Sequence, residues 1–496
     1  MDRSTRNMLV VAGLAVAVAV NLFARGIGVG LRAYRAEWIW RPLGRGLRVN
    51  LLPAVALSGL LVALVWWLNR PGRWQRMPGW GRALSLIGLV LVTFALQCAM
   101  VNAVGEPWVA PGAIIASPAS TTFFAISHDV HSVPDYLANY HQIMPTLPHH
   151  AVTHPPGLTL FFWAVRRACA LVTPASASTS PVVAGVQWYA EKLGAGFPPS
   201  DAVAAIVSAL LLALAGSSSI LPVYVLARRL AGAEAGLVAA CVMAGIPSLL
   251  LLSAWSDQLV LFFAVRVICL AYLAWKSERL WVAVIAGAVF AVGTLVSFGL
   301  LVLGAWLVGW GVLGWLRSPD RGAAARRMLG RTGAAFAGFL SFHLALFIST
   351  GYRAWTVAYL GLFAHRQETT VEFPRTYWKW VLMNPVEMAV FAGLALVAAA
   401  LWASLRGGRR DGGAPSSSLR LFLLSWVIVL VALDVSGIVR AEVGRIWLFL
   451  MWPLAVAASG TAASLRTRGM VVTMLVGMQL CQALAMRGYL NIYDIF

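Results

Sequence analysis

The sequence predicts an all-α polytopic membrane protein, and three observations carry that prediction. Of 496 residues, 60% are apolar and only 11% are charged, against about 45–50% and about 25% in soluble proteins. Mean hydropathy is +0.79. Apolar runs of about 20 residues, the length a helix needs to cross a bilayer, recur along the chain. A soluble enzyme, a disordered chain and a secreted disulfide scaffold are excluded. The net charge of +20, from 38 Lys and Arg against 18 Asp and Glu, fits loops obeying the positive-inside rule and facing anionic headgroups. No soluble module offers a basic face to nucleic acid. Cys98, Cys169, Cys241, Cys269 and Cys481 stand in apolar stretches and read as small hydrophobes.

Hydropathy marks about thirteen spans: 8–25, 50–68, 83–104, 202–227, 232–253, 258–275, 280–297, 299–316, 332–351, 385–404, 421–437, 446–463 and 470–486. The first run lacks a clear cleavage site and reads as a retained span rather than a signal peptide. Residues 1–82 form additional N-terminal helices, 83–463 a membrane core, and 464–496 a last helix with an external tail. The loops at 228–229, 276–279, 317–331, 406–420 and 466–468 carry the arginines and lysines, and alternate along the chain. They belong on the cytoplasmic side, which places 105–201, Asp257, 352–384 and 434–445 outside. This requires that 157–173 not cross. Arg166 and Arg167 interrupt that run, so it reads as an amphipathic helix lying in the interface. The stretch 105–155 agrees, holding Glu106, Asp129 and Asp135 but no lysine or arginine. Residues 25–49 conflict, because six arginines there fall on the external side.

Chemistry is expected where polar groups gather on the external face. Residues 127–157 hold six of the chain's eight histidines, namely His128, His131, His141, His149, His150 and His154. Asp129 and Asp135 lie among them, with five prolines that make this a shaped loop. A carboxylate there can take a proton from an acceptor hydroxyl or bind a divalent metal that does so. The plainer alternative is a solvated polar loop. His128, Asp129 and His131 offer nitrogen and oxygen ligands, yet match no zinc spacing, so the metal stays unknown. Asp257, followed by Gln258, opens a later span as a second external acid. Arg440 and Arg445 stand outside, against the positive-inside bias, with Glu442 between them, and offer planar forks for phosphate oxygens. His365, Arg366 and Arg375 are weaker candidates of the same kind. Arg266 is a lone charge inside a span.

The order of these features resembles the GT-C glycosyltransferase superfamily, in particular its bacterial family 39-like and actinobacterial mannosyltransferase-like members. The resemblance rests on an external loop with an acid (SHDVHS), then His154-Pro155-Pro156 before an amphipathic helix. VYVLARRLAG, PSLLLLS and an acid at the next helix start follow, then E-x-x-R-I-W-L-F-L-x-x-P from Glu442 to Pro453. It covers roughly 83–463. It implies a GT-C-type bundle with an interfacial helix and an external active-site loop. It implies that Asp129 is the catalytic base and Asp257 a second catalytic acid. Arg445, with Arg440, His154 and Arg366, would bind the donor phosphate. His128, His131, Asp135, Tyr136, Gln258 and Glu442 would shape the loop or hold the acceptor. Two departures stand out: Val130 follows Asp129 where the family carries Asp-Glu, and Val296-Ser297-Phe298 stands where a lysine is usual.

The activity so implied is transfer of a hexose or pentose from a polyprenyl-phosphate sugar to a glycan, lipid or protein acceptor of the cell envelope. Such transfer would occur at the external face of a bacterial cytoplasmic membrane. The alternatives are a lipid-linked-sugar transporter or flippase, and a polymerase or ligase using a polyprenyl-diphosphate glycan.

Overall fold

A computed structural model describes residues 1–25, 42–44, 48–118, 122–192, 196–367, 375–406 and 417–492. Among these there is no strand beyond two isolated bridges, and helices follow one another along the chain. A helix suits lipid because it satisfies its own backbone hydrogen bonds. Eight helices are long and apolar enough to cross a membrane. Tyr377–Ala392 and Leu394–Arg406 form a further apolar pair, bent by 104°. Leu52–Leu68, Ala233–Met243, Leu280–Val296 and Leu448–Ala462 are shorter apolar helices. Together these cover the runs marked by hydropathy. The bend falls at Gly393, whose φ of +99° a side chain would resist.

Contacts at the helix ends sort the loops into two faces. At one end Arg468 pairs with Glu234, Arg331 donates to the Ser277 carbonyl at 2.5 Å, and Arg406 pairs with Asp2 at 2.8 Å. At the other, Asn50 donates to the Ala103 carbonyl at 2.8 Å, Leu43 to that of Tyr489 at 2.9 Å, and Arg487 to that of Met100 at 2.7 Å. The start of Asp257–Lys276 and the end of Leu280–Val296 belong to this second face, because their opposite ends lie by Ser277. Residues 42–44 and 48–50 therefore sit on the face expected to be external, as the span count required. Arg48 approaches Glu106 there at 3.6 Å. Arg32, Arg35, Arg41 and Arg45 lie outside the described residues.

The helix Gly157–Val172 has 16 residues and is not among the membrane-crossing helices. Leu158, Phe162, Val165 and Cys169 form its buried side. Arg167 is exposed, whereas Arg166 turns inward. The intramembrane Arg266 is bound by Ser218 Oγ and the Phe262 carbonyl, both at 2.9 Å, and lies over the Phe262 ring. That is a packing role.

Candidate active site

A cavity of about 440 Å³ opens at the face that carries Asp257. Asp257 is the first residue of its helix, where a carboxylate suits the positive end of the dipole. Arg445 comes from the short turn Val443–Ile446. Its guanidinium lies 3.2 Å from Asp257 and 2.6 Å from Glu442. It also covers the Trp255 ring, 4.5 Å from the centroid. Arg375 approaches Glu442 from the other side at 3.6 Å. Facing Arg445 holds the Glu442 carboxyl down to about 2. Arg440 also lines the cavity, and among the described residues it has no carboxylate partner.

The turn that presents these groups is strained and firmly held. Ala441 and Glu442 both adopt positive φ, +85° and +58°, which non-glycine residues avoid. Arg440 donates to the Arg375 carbonyl at 2.8 Å, and Arg375 donates back to that of Arg440. Asn384 bonds Asp434 at 2.9 Å and the Val439 carbonyl at 3.0 Å. The Gly444 amide donates to Glu387 at 3.0 Å, while Ser248 donates to the Gly444 carbonyl at 2.6 Å. A Cβ at 444 would run into the Phe391 ring. A side chain at 444 therefore has to displace Phe391.

His154 forms part of the opposite wall, with Phe123, His150 and Thr153. Its Nδ1 lies 2.7 Å from the His150 carbonyl oxygen, and its own carbonyl accepts from the Tyr140 hydroxyl at 2.7 Å. Burial pushes the imidazole down to about 3, and the charges of His150, Arg445 and His365 add to this. The ring is therefore neutral. Ser256, Ser297 and His365 add further polar groups, and much of the remaining lining is apolar. Leu301, Leu362 and Ile438 line the cavity and are exposed.

The sequence-predicted residues fall in three places. Asp257, Arg440, Glu442, Arg445 and His154 meet at the cavity, as do Arg375 and His365. Asp129 is exposed on the adjoining turn and is not among the lining residues. Trp163 anchors this turn by donating to the Val130 carbonyl at 2.9 Å. Asp135 lies in the first turn of Val133–Ile143, where the Ser132 side chain accepts from its amide. His131 is exposed, Tyr136 is buried in a cluster with Tyr140 and Tyr352, and Arg366 is exposed outside the cavity. Gln258 is spent on the Leu249 and Leu252 carbonyls. The side chain of His149 lies outside the described residues.

His128 belongs to a separate cluster. Arg166 grips buried Asp201 with two bonds of 3.1 and 3.0 Å, and donates to His128 at 3.0 Å. The His128 ring stacks on Phe197. Sequence reasoning missed this pairing, and it missed Glu387, whose signal was a lone acid inside an apolar run.

Among the described residues, the carboxylates of the cavity face an arginine rather than grouping as ligands for a divalent cation. Asp257 and Glu442 converge on the cation Arg445. Among the described residues no three His, Cys, Asp or Glu side chains gather as metal ligands.

No protein-family profile and no curated protein matches the chain. Two solved structures, both archaeal oligosaccharyltransferases from Archaeoglobus fulgidus, are similar to it at low values. One, a complex with Zn and sulfate, is 14% identical over 77% of this chain and 53% of its own, with a TM-score of 0.37. The other, AglB with an inhibitory peptide and a dolichol-phosphate, is 13% identical over 83% and 57%, with a TM-score of 0.43. The chain spans a little over half the length of each. The chemistry of the cavity rests on its own residues.

Proposed function

We propose that the chain is a membrane glycosyltransferase that moves a sugar from a polyprenyl-phosphate donor to a cell-envelope acceptor. The observation that carries this reading is the composition of the cavity. Among the described lining residues, three guanidinium groups, Arg375, Arg440 and Arg445, meet two carboxylates, Asp257 and Glu442, which leaves one positive charge over. A sugar–phosphate–polyprenyl diester carries one negative charge and matches it. A diphosphate carries more, which disfavours the polymerase or ligase reading. The apolar wall through Leu301, Leu362 and Ile438 gives the prenyl chain a route in from the bilayer.

In the step proposed, the acceptor oxygen attacks the anomeric carbon. The bond from that carbon to the phosphate oxygen breaks, and polyprenyl phosphate leaves with the electron pair. Its phosphate gains negative charge, which Arg445 and Arg440 offset where water is scarce. A carboxylate takes the acceptor proton; of the two at the cavity, Glu442 is held by both Arg445 and Arg375, which leaves Asp257 for that role. Donor phosphate binding to Arg445 would release Asp257 from its ion pair and free it as a base. The opposite face carries the arginine-rich loops, which supports a cavity on the external side; a bacterial cytoplasmic membrane is what the family resemblance implies.

Proteoliposomes loaded with radiolabelled polyprenyl-phosphate sugars and cell-envelope acceptors test the proposal. Label should move to the acceptor, and Arg445→Ala should stop it. Movement of the intact lipid-linked sugar between leaflets, with no label on any acceptor, would establish a flippase instead.

A further inference from the structure

We infer that His154 is a sugar-specificity residue whose Nε2 accepts a hydrogen bond from a hydroxyl of the donor sugar. This rests on the reading of the cavity as a lipid-phosphate site and gives His154 a role other than phosphate binding. Nδ1 lies 2.7 Å from the His150 carbonyl oxygen, which can only accept. Nδ1 therefore carries the hydrogen, and in a neutral imidazole Nε2 is then a bare acceptor. A bare acceptor repels phosphate oxygen and welcomes a hydroxyl.

Three further contacts fix the ring. Thr153 Oγ1 lies 2.9 Å from Nδ1, Tyr140 holds the His154 carbonyl at 2.7 Å, and the Phe123 ring stands edge-on at 5.4 Å. Nε2 has no protein partner among the described residues, and it is not among the sealed polar atoms. It is open to the cavity that the ring lines. The charged and titratable groups around it are His150, His365 and Arg445, with Asp257 and Glu442 across the cavity. If Arg445 meets the phosphate, the next group along the donor is the sugar, which brings its ring hydroxyls to this wall.

The test compares binding of bare farnesyl phosphate, taken as its methyl diester so that it carries the same single charge, with that of a panel of farnesyl-phosphate monosaccharides to the detergent-solubilised protein. At least one sugar should tighten binding over bare farnesyl phosphate by roughly three- to tenfold, the range of one net hydrogen bond. His154→Phe keeps the ring shape and should erase that gain, so that sugar-bearing and bare lipids bind alike. His154→Gln, which places an amide oxygen near the Nε2 position, should keep part of it and covers the case in which His154→Phe does not fold. No sugar gain in the wild type, or a gain that survives in His154→Phe, overturns the inference. So does an equal loss for bare farnesyl phosphate, which would make His154 a phosphate ligand. Failure of the wild type to bind farnesyl phosphate at all, or indifference of that binding to Arg445→Ala, would instead remove the lipid-phosphate reading itself.

Discussion

Arg445 meets Asp257 at 3.2 Å across 188 residues of sequence. This contact joins the strained turn at 441–442 to the first turn of a transmembrane helix. It turns two isolated polar residues into one site. Neither partner is freely solvated: side-chain exposure is 16% for Arg445 and 14% for Asp257. A charge pair so placed is costly to break by removing one partner.

Arg445→Ala should therefore weaken farnesyl phosphate binding by about tenfold to a hundredfold, the range of a charge-assisted hydrogen bond. Arg445→Lys should recover only part, since an ammonium replaces a fork that spans Asp257 and Glu442 at once. Titration of farnesyl phosphate against the three proteins checks this. Equal affinities would leave Arg445 a structural anchor.

Gly444→Ala tests whether the turn is fixed by space. The new methyl group must displace Phe391 or the peptide held by Glu387 and Ser248. Overpacking of this kind costs about 1–3 kcal/mol. Thermal unfolding in detergent should show the loss, and ligand affinity should fall with it because Arg445 is the next residue. An unchanged unfolding midpoint would mean that Phe391 yields freely.

Acid should destabilise the protein through His154. Its ordinary value is 6.5 and its folded value about 3. Between these the unfolded chain binds a proton that the folded chain does not, so stability rises with pH across the window. The contribution of neutral His154 is whole above about 6.5 and shrinks as pH falls below it. His128 is lowered too, chiefly by burial, and acts with the same sign. The difference between wild type and His154→Phe isolates one histidine. Unfolding at about pH 7 and about pH 5 should show a smaller acid penalty in the variant; equal penalties would assign the effect elsewhere.

Cysteine labelling tests the two faces. Cysteines placed at 129 and 257 should react from one side, and one at 327 from the other. The contacts of Arg331 with Ser277 and of Arg445 with Asp257 hold these positions at opposite helix ends. Reaction of 129 and 257 from opposite sides would separate the histidine-rich loop from the cavity.

The helices were legible because lipid demands long apolar runs, and hydropathy reads them directly. Asp257 and Arg445 were legible because each stood out against apolar surroundings or loop-charge bias. The position of Asp129 outside the cavity lining was not, since the direction of a turn depends on what anchors it, here Trp163. Arg166 looked like an interfacial charge because its partner, Asp201, lies 35 residues on and is recruited only by packing. Glu387 sat in a run read as one span. The bend at Gly393 splits that run between two helices, with Glu387 on the Tyr377–Ala392 helix that packs against the turn.

The last prediction concerns which carboxylate takes the proton. Asp129 occupies the position that the family resemblance assigns to the base, in the loop richest in histidines. Asp257 lines the cavity and touches the arginine proposed to meet the donor phosphate. Asp257→Asn keeps the shape and a hydrogen bond to Arg445 but removes the proton acceptor. Loss of a general base costs about 10²–10⁴ in rate, so transfer should fall by at least roughly a hundredfold while farnesyl phosphate still binds. Asp129→Asn should be the milder change, because its exposed side chain reaches the chemistry only if the acceptor draws the 128–133 turn over the cavity. Both variants belong in one proteoliposome assay with donor binding measured alongside. If Asp129→Asn is inactive and Asp257→Asn turns over normally, the base sits on the loop and Asp257 serves only to hold Arg445. If both retain full turnover, neither Asp129 nor Asp257 is the base, and Glu442, the other acid at the cavity, is the next to replace.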